Sequence, residues 1–157
     1  MIKNILVPLD GSKLAECALS YVEEMATKLG VDKVTLLSVT ERVKGFRAIE
    51  DPTSPTEVRL APEATGKLER QATKYLNRIS KGLESKGVKV EKQVLLGNPA
   101  EEITIHTENE GGDLIVMASH GRTGPSRWAH GSVAERILKS VRIPVMVIRA
   151  PGCSGTL

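Results

Sequence analysis

Short apolar segments alternate with amphipathic segments along this chain of 157 residues. The apolar runs ILVPL, LIVM and VMVI carry hydrophobic side chains at consecutive positions rather than at every second one. Such continuous runs are typical of parallel strands that are buried on both faces. Their alternation with helical segments indicates βαβ units. We therefore predict an α/β fold, with an open parallel sheet and helices on both faces, as one domain over residues 1–150 followed by a flexible tail at 151–157.

Local signals set the boundaries of the predicted elements. Ser12 and Asn98 are suitable residues to cap the start of a helix, and Gly30 is suitable to end one. The stretch 41–62 shows no periodicity and is predicted to be a long loop. The predicted strands are 2–9, 33–40, 88–96, 113–117 and 144–149, and the predicted helices are 12–29, 63–86, one that begins at 98–99, and 132–141.

Residues 113–133, DLIVMASHGRTGPSRWAHGSV, point most directly to a function. An apolar strand leads into a loop of glycines and small residues, and a helix begins at Gly131 and Ser132. This arrangement presents unpaired backbone N–H groups and the positive end of a helix dipole to an anion. Arg122 and Arg127 add positive charge to the same loop. We therefore predict a ligand that carries phosphate.

The ends of two predicted strands add a second part to this site. In open parallel sheets, ligands bind beyond the carboxyl ends of strands, at the point where the strand order reverses. The first predicted strand ends at Asp10 and the fourth leads into 118–121, so both ends line one crevice if the two strands are neighbours. Two simpler interpretations stay open, since Asp10 suits a tight turn before Gly11 and Ser132 suits a helix cap.

Composition argues against several classes of protein. Aromatic residues make up 3% of the chain, too few for a module that stacks bases on exposed rings, and the net charge is only +3, so we expect no nucleic-acid partner. No apolar run reaches about 18 residues, and no membrane span is expected. The first residues read as a strand rather than a signal peptide, and we expect Cys17 and Cys153 to be reduced thiols in a cytoplasmic protein.

Five segments match a known family in order and spacing over nearly the whole chain. They are VPLDGS at 7–12, GNPAEEI at 97–103, DLIVMASHGRTG at 113–124, GSVAERIL at 131–138 and PVMVIR at 144–149. Together they resemble the universal stress protein family. The resemblance implies a Rossmann-like five-stranded sheet of order 3-2-1-4-5 and a homodimer through the strand 144–149. In the branch of the family that binds ATP, it also implies an adenine nucleotide accompanied by Mg or Mn.

The glycine pattern of the ATP-binding branch is largely present. The spacing of nine residues from Gly121 to Gly131, followed by Ser132, is similar to that branch. The chain departs from the pattern at Ala118, where those relatives have glycine. A glycine that needs positive φ would be costly to replace with alanine, so this departure bears on nucleotide affinity.

The resemblance assigns roles to individual residues of this chain. Asp10 is expected to contact the ribose or the metal ion, and Val39 to offer backbone groups to adenine. The residues expected to hold the phosphates are Gly121, Arg122, Gly131, Ser132 and Val133. The full set of nucleotide-binding residues implied in this way is Pro8, Leu9, Asp10, Val39, Met117, Ala118, Gly121, Arg122, Gly131, Ser132 and Val133.

No catalytic machinery is visible in the sequence. The GxSxG, HExxH and phosphate-loop lysine patterns are absent, and His120 and His130 have no third metal ligand at a helpful spacing. His106 is expected at the surface of its helix. We predict a nucleotide-binding stress-response regulator rather than an enzyme. The alternatives are a nucleotide-free dimerisation module of the same fold and a slow ATPase.

Overall fold

The computed structural model describes residues 1–41, 62–119 and 132–149. Residues 42–61 of the predicted loop, the tail 151–157 and the loop before the last helix lie outside the described residues. The elements, in chain order, are β1 (Asn4–Pro8), α1 (Lys13–Glu16), α2 (Ala18–Leu29), β2 (Lys33–Thr40), α3 (Pro62–Glu84), β3 (Val90–Leu96), α4 (Pro99–Glu110), β4 (Leu114–Ser119), α5 (Ser132–Ser140) and β5 (Val145–Arg149).

The strands form one five-stranded parallel sheet in the order β3-β2-β1-β4-β5, which confirms the predicted fold class and strand order. β1 lies between β2 and β4, so the strand order reverses at β1. The first and fourth strands are therefore neighbours, as a shared crevice requires. β4 ends at Ser119 rather than at the predicted Met117 because it stays paired with β5 as far as Arg149.

Two of the longer helices lie on each face of the sheet. On one face, α2 and α3 pack around a group that we call the α2/α3 cluster, and α4 and α5 pack on the other face around the α4/α5 cluster. Within the described ranges, no helix has the length and apolar character that a membrane span needs. The buried members of the α2/α3 cluster are Ile5, Val7, Leu9, Ala15, Ala18, Val22, Ala26, Val34, Leu36, Leu76, Ile79, Leu83, Val88, Leu114, Val116 and Ile148. Those of the α4/α5 cluster are Leu6, Leu37, Ala100, Ile103, Ile115, Met117, Ala134 and Ile137.

The predicted capping residues begin and end the helices. The hydroxyl of Ser12 accepts a hydrogen bond from the Ala15 N–H at 3.1 Å, and the side chain of Asn98 accepts one from the Ala100 N–H at 3.2 Å. Gly30 ends α2 at a φ of 64°, a left-handed conformation that glycine adopts without a steric penalty. These local signals position both helices that approach the carboxyl edge of the sheet.

The helix predicted from Ser12 to Leu29 is two helices, α1 and α2, separated at Cys17. The Cys17 N–H donates to the carbonyl of Leu14, three residues earlier, at 3.1 Å, and such a tightened turn interrupts the α-helical ladder. The sulfur of Cys17 is bonded in a disulfide, so the expectation of a reduced thiol is wrong at this position. Cys153 lies outside the described residues.

Two helical side chains differ in exposure from the sequence-based prediction. The spacing of Val22, Met25 and Leu29 in the sequence predicts that all three lie on the apolar face of the helix. Leu29 is nevertheless 53% exposed, because α2 ends there and Gly30 turns the chain. His106, expected at the surface, is only 9% exposed because it lies one turn after Ile103, on the side of α4 that packs on the sheet. Burial lowers the pKa of the His106 imidazole, since a buried site disfavours its charged form.

Candidate functional site

A cavity of about 320 Å³ lies at the carboxyl ends of β1, β2 and β4, where the strand order reverses. The chain leaves β1 for α2 on one face of the sheet and leaves β4 for α5 on the other face, and connections that diverge in this way leave a crevice between the two strand ends. The residues that line the cavity are Pro8, Leu9, Asp10, Ser12, Leu14, Ala15, Leu37, Val39, Pro99, Ile103, Met117, Ala118, Ser119, Val133 and Ala134.

One part of the cavity is apolar. Leu37 and Val39 come from β2, Met117 from β4 and Ile103 from α4. Leu37, Met117 and Ile103 are also buried members of the α4/α5 cluster, so the floor of the cavity is continuous with the core. Surfaces of this kind accept an uncharged ring or an aliphatic group, and they disfavour an unpaired ion.

The polar rim of the cavity is built around Asp10, the one ionisable residue among the described lining residues. Its Oδ1 atom accepts two hydrogen bonds from Ser12, one from the backbone N–H at 2.9 Å and one from the hydroxyl at 2.6 Å. The same hydroxyl accepts the Ala15 N–H that begins α1. Asp10 therefore forms the turn that the sequence allowed as a simpler interpretation, while its exposed carboxylate still faces the cavity.

One ion pair with α3 anchors the short helix α1, which follows this rim. Glu16 accepts from the Arg78 guanidinium at 2.8 Å and from the Lys13 ammonium at 3.1 Å. Burial acts to raise the pKa of the Glu16 carboxyl, but these two hydrogen bonds outweigh burial and the pKa is lowered. The Arg78 guanidinium also lies 5.3 Å from the centre of the Tyr75 ring, within the range of a cation–π contact.

The start of α4 forms another wall. Pro99, the first residue of this helix, and Ile103, one turn later, both line the cavity. The side chain of Asn98 accepts from the N–H groups of Ala100 and Glu101, at 3.2 and 3.4 Å. These backbone donors are therefore already satisfied, and the wall offers shape and apolar surface rather than free N–H groups.

The start of α5 closes the remaining side. Val133 and Ala134, in its first turn, line the cavity, and Ser132 is the first residue of the helix. Gly121, Arg122 and Gly131 lie outside the described residues. Their part in binding phosphate stays a prediction, as does that of the Ser132 side chain.

The structure brings together seven of the residues that the sequence implicated. These are Pro8, Leu9, Asp10, Val39, Met117, Ala118 and Val133, and each of them lines the cavity. They arrive from three strand ends and one helix start, which are far apart in sequence. These positions are the ones that the family resemblance implies for a nucleotide.

Sequence reasoning missed other residues of the lining. Among them are Ser12 and Pro99, which the sequence analysis used only as helix signals, and Ile103, which lies on the apolar side of α4. Ser119 was missed because β4 was predicted to end two residues earlier. The rule that ligands bind at strand ends points to strands, and it does not say which helix start stands beside them.

The described residues show no metal centre and no hydrolytic pair. No three His, Cys, Asp or Glu side chains in the described ranges come together as a metal ion would require. The hydroxyl of Thr107, beside the buried His106, donates to the carbonyl of Ile103 at 2.7 Å instead of to an imidazole. What the described geometry offers is a binding cavity, with an apolar floor and one carboxylate at its rim.

The fold and the cavity define a single-sheet α/β protein with a ligand crevice at its topological switch point. A family model described as the universal stress protein family matches residues 1–149, and the chain belongs to that family. The chain is 33% identical over 163 residues to a universal stress protein, MJ0577, of Methanocaldococcus jannaschii, an alignment that covers 95% of this chain and 96% of the relative. The solved structure of MJ0577 superposes with a TM-score of 0.74 at 32% identity, covering 95% of this chain and 96% of that chain.

Two more distant structures share the fold and contain a nucleotide. One is a universal stress protein in complex with cAMP, at 15% identity and a TM-score of 0.67, covering 95% of this chain and 98% of that chain. The other is a universal stress protein family protein from Arabidopsis thaliana with AMP bound, at 15% identity and a TM-score of 0.61, covering 96% of this chain and 93% of that chain. At this identity the likeness shows the fold alone.

Proposed function

We propose that this chain binds an adenine nucleotide, ATP with Mg or Mn, in the crevice between β1 and β4, and acts as a homodimeric cytoplasmic regulator of a stress response. The observation that carries the proposal is the cavity at the switch point, because seven of the residues that the resemblance implicates line it, and α5 begins beside it at Ser132. The cAMP and AMP complexes of distant relatives support the adenylate part of the ligand. The spacing from Gly121 to Gly131 supports membership in the ATP-binding branch.

The two ends of the cavity suit the two ends of a nucleoside. The volume of about 320 Å³ lies at the lower end of the range for small-molecule sites. Adenine packs against Val39, Met117 and Ile103, where an apolar surface is available, and the backbone of Val39 adds polar groups at the base edge. The ribose lies at the polar rim, within reach of the exposed carboxylate of Asp10.

The phosphates extend toward α5. The starts of α1 and α4 are capped by Ser12 and Asn98, so their donors are engaged with side chains. α5 begins at Ser132 after a segment that contains Gly121, Arg122 and Gly131. A helix start that follows a loop rich in glycine is suited to phosphate because of its unpaired N–H groups and dipole.

A metal ion enters this site with the nucleotide. Asp10 is a hard oxygen ligand of the kind that Mg prefers, but a single carboxylate does not make a metal site without phosphate oxygens. Its Oδ1 atom is engaged by Ser12, which leaves Oδ2 for the ribose or the ion. The residues present therefore fit a metal that is held mainly by the phosphates.

Calorimetric titration with ATP and Mg tests the proposal. We expect a dissociation constant in the micromolar range, roughly −8 kcal/mol. Asp10→Ala should weaken binding about tenfold, through the lost ribose or metal contact. Asp32→Ala should leave binding unchanged, because Asp32 is exposed just before the amino-terminal end of β2, whereas the cavity lies at the carboxyl ends of the strands. If millimolar ATP gives no heat and no thermal shift, the chain does not bind this nucleotide. The result would then favour a nucleotide-free dimerisation module of the same fold.

The phosphate side is tested by comparing ATP with adenosine. A β-branched side chain at position 131 restricts the backbone and crowds the approach of a phosphate. We expect Gly131→Val to remove the advantage of ATP over adenosine while adenosine itself still binds. If the variant is folded by circular dichroism and prefers ATP as strongly as the original chain does, the phosphates lie elsewhere.

The proposed homodimer uses β5. This strand lies at one edge of the sheet and pairs only with β4 among the described strands. Its segment Val145–Ile148 contains no charged residue. Met146 lies on the α2/α3 face of the sheet, as Ile148 does, and it is 37% exposed. Apolar edge strands without protecting charges are prone to pair with another chain. Pairing about a two-fold axis satisfies the open backbone groups of both copies.

Light scattering tests the dimer. Met146→Lys places a charge in the proposed interface at an exposed position, so the variant should fold and become monomeric. Gln93→Lys is the matched control, since Gln93 is exposed on β3 at the opposite edge, and it should leave the dimer intact. A native chain that stays monomeric at high micromolar concentration would refute the dimer without affecting the nucleotide site.

A further inference from the structure

The central strand β1 is paired unequally with its two neighbours. It pairs with β2 along its whole length, up to Pro8 opposite Leu37. It pairs with β4 only at two positions, the last being Leu6 opposite Ile115. β4 itself does not end there, because it remains in register with β5 as far as Ser119. The pairing between β1 and β4 therefore stops at Leu6, and this leaves a seam between the two strands while the ladders on both sides of it continue.

The direction of the backbone groups explains where this seam opens. Leu9 donates its N–H to the carbonyl of Leu37 at 2.8 Å, and Lys3 accepts from the N–H of Lys33, so the odd-numbered residues of β1 face β2. The carbonyl of Asn4 accepts from Asp113, which precedes β4, so the even-numbered residues face β4. In a parallel ladder alternate residues serve alternate neighbours. Position 8 therefore faces β4.

The donor required for the next pair of the ladder is missing. After Leu6 and Ile115, the register would pair Val7 with Val116, and the N–H of residue 8 would donate to β4 to form that pair. Pro8 has no N–H, and proline is normally excluded from the interior of a sheet for this reason. Pro8 therefore stands where the next pair between β1 and β4 would require a donor. The ladder between β1 and β2 does not use this donor and stays intact.

We propose that Pro8 holds the crevice open by withholding the hydrogen bond that would join β1 to β4 above Leu6. It is a positioning residue for the ligand. The groups that line the cavity beyond the break, Leu9 on one side and Met117, Ala118 and Ser119 on the other, then stand apart instead of side by side in a ladder. The consequence for nucleotide affinity rests on the proposed function, and the consequence for the ladder does not.

The substitution Pro8→Ala restores the missing N–H with a small side chain. Pro99→Ala is the matched control, because Pro99 also lines the cavity and also loses its ring. Residue 99 is the first residue of α4, where an added N–H completes no ladder. We expect the new amide of residue 8 to be protected from hydrogen exchange and a crystal structure to show Val7 paired with Val116. ATP should bind at least tenfold more weakly to Pro8→Ala than to Pro99→Ala.

The possible results test two statements separately: that Pro8 stops the ladder between β1 and β4, and that the stopped ladder is needed for ATP binding. Rapid exchange at residue 8 would show that the seam opens for another reason and would overturn it. Protection at residue 8, with an ATP affinity no lower than that of Pro99→Ala, would also overturn it, because the closed seam would then not obstruct the ligand. If the native chain binds no ATP, the proposed function fails, and exchange at residue 8 together with the width of the crevice in Pro8→Ala still decides the role of Pro8.

Discussion

The two faces of the sheet use their buried residues differently. On the face covered by α2 and α3, only Leu9 and Ala15 among the buried members of the cluster line the cavity, and the others pack against one another. On the face covered by α4 and α5, the cluster is smaller, and half of its buried members also line the cavity: Leu37, Ile103, Met117 and Ala134. One face therefore supplies most of the packing of the described domain, and the other combines packing with the binding site.

This difference has an energetic consequence. A side chain that borders a cavity lacks neighbours on one side and forfeits the dispersion energy of those contacts. A ligand that fills the cavity restores them, and it stabilises the folded chain by mass action. The α4/α5 face should therefore respond to nucleotide, whereas the α2/α3 face should set the stability of the chain without it.

The largest expected effect comes from Leu76→Ala on the α2/α3 face. Leu76 is completely buried, so the substitution removes packing and leaves a void that costs about 3 kcal/mol of unfolding free energy. Because Leu76 does not line the cavity, the dissociation constant for ATP should stay unchanged. Urea unfolding and calorimetry measure the two quantities. A large loss of affinity in the folded variant would contradict the separation of the two faces.

Ile103→Ala is the counterpart on the α4/α5 face. Ile103 is 2% exposed, as buried as Leu76 for practical purposes, but it borders the cavity. The substitution should cost less, about 2 kcal/mol, because the side chain has fewer neighbours to lose. It should also weaken ATP binding, so that saturating ATP stabilises the variant less than the native chain. Equal stability losses at both positions, with equal ATP binding, would show that the faces do not differ.

The fold was predictable because its determinants are local. Continuous apolar runs marked the strands, and Ser12, Asn98 and Gly30 marked helix ends through backbone chemistry that operates within a few residues. The break at Cys17 was not predictable, since one i to i−3 hydrogen bond decides it and no residue type there demands it. The burial of His106 was predictable in principle, because its spacing from Ile103 places both on one side of α4.

The site was predictable only in part. Strand ends such as Asp10 and Ala118 follow from the rule for parallel sheets, and the family pattern supplied the rest of the implied set. Pro99 and Ser119 line the cavity for reasons that depend on how far a strand runs and where a helix begins in space. The unequal ladders of β1 depend on strand order, which the resemblance implied and the residues alone did not fix.

The smallest expected effect concerns Tyr75, where the α2/α3 face approaches the rim of the cavity. Its hydroxyl is buried, and no group among the described residues meets hydrogen-bond geometry with it, although the Glu16 carboxylate lies close enough to act on its pKa. Burial raises the pKa of Tyr75 from 10.0 to about 12, and the nearby carboxylates of Glu16 and Asp10 act in the same direction. The positive charge of Arg78 opposes them but does not outweigh them. The folded chain therefore keeps this tyrosine neutral at a pH where the unfolded chain ionises it.

This difference makes stability depend on pH in one direction only. Below pH 10 both states carry neutral Tyr75, and its contribution to stability is fully present. Between about pH 10 and pH 12 the unfolded state loses its proton first, so the unfolding free energy falls. The full difference in pKa corresponds to about 2.7 kcal/mol, and water around the half-buried ring reduces the expected loss to about 1 kcal/mol.

Tyr75→Phe should remove this alkaline loss, and Tyr21→Phe is the matched control because Tyr21 is the other tyrosine of the chain and is 44% exposed. Urea unfolding of the three proteins at intervals from pH 9 to pH 12 gives the comparison, and ultraviolet absorbance of phenolate follows the ionisation directly. If Tyr75→Phe and the native chain lose stability in parallel over this range, Tyr75 ionises alike in both states. The hydroxyl would then be open to water, and the α2/α3 face would be less closed at this end than the cluster of buried residues indicates.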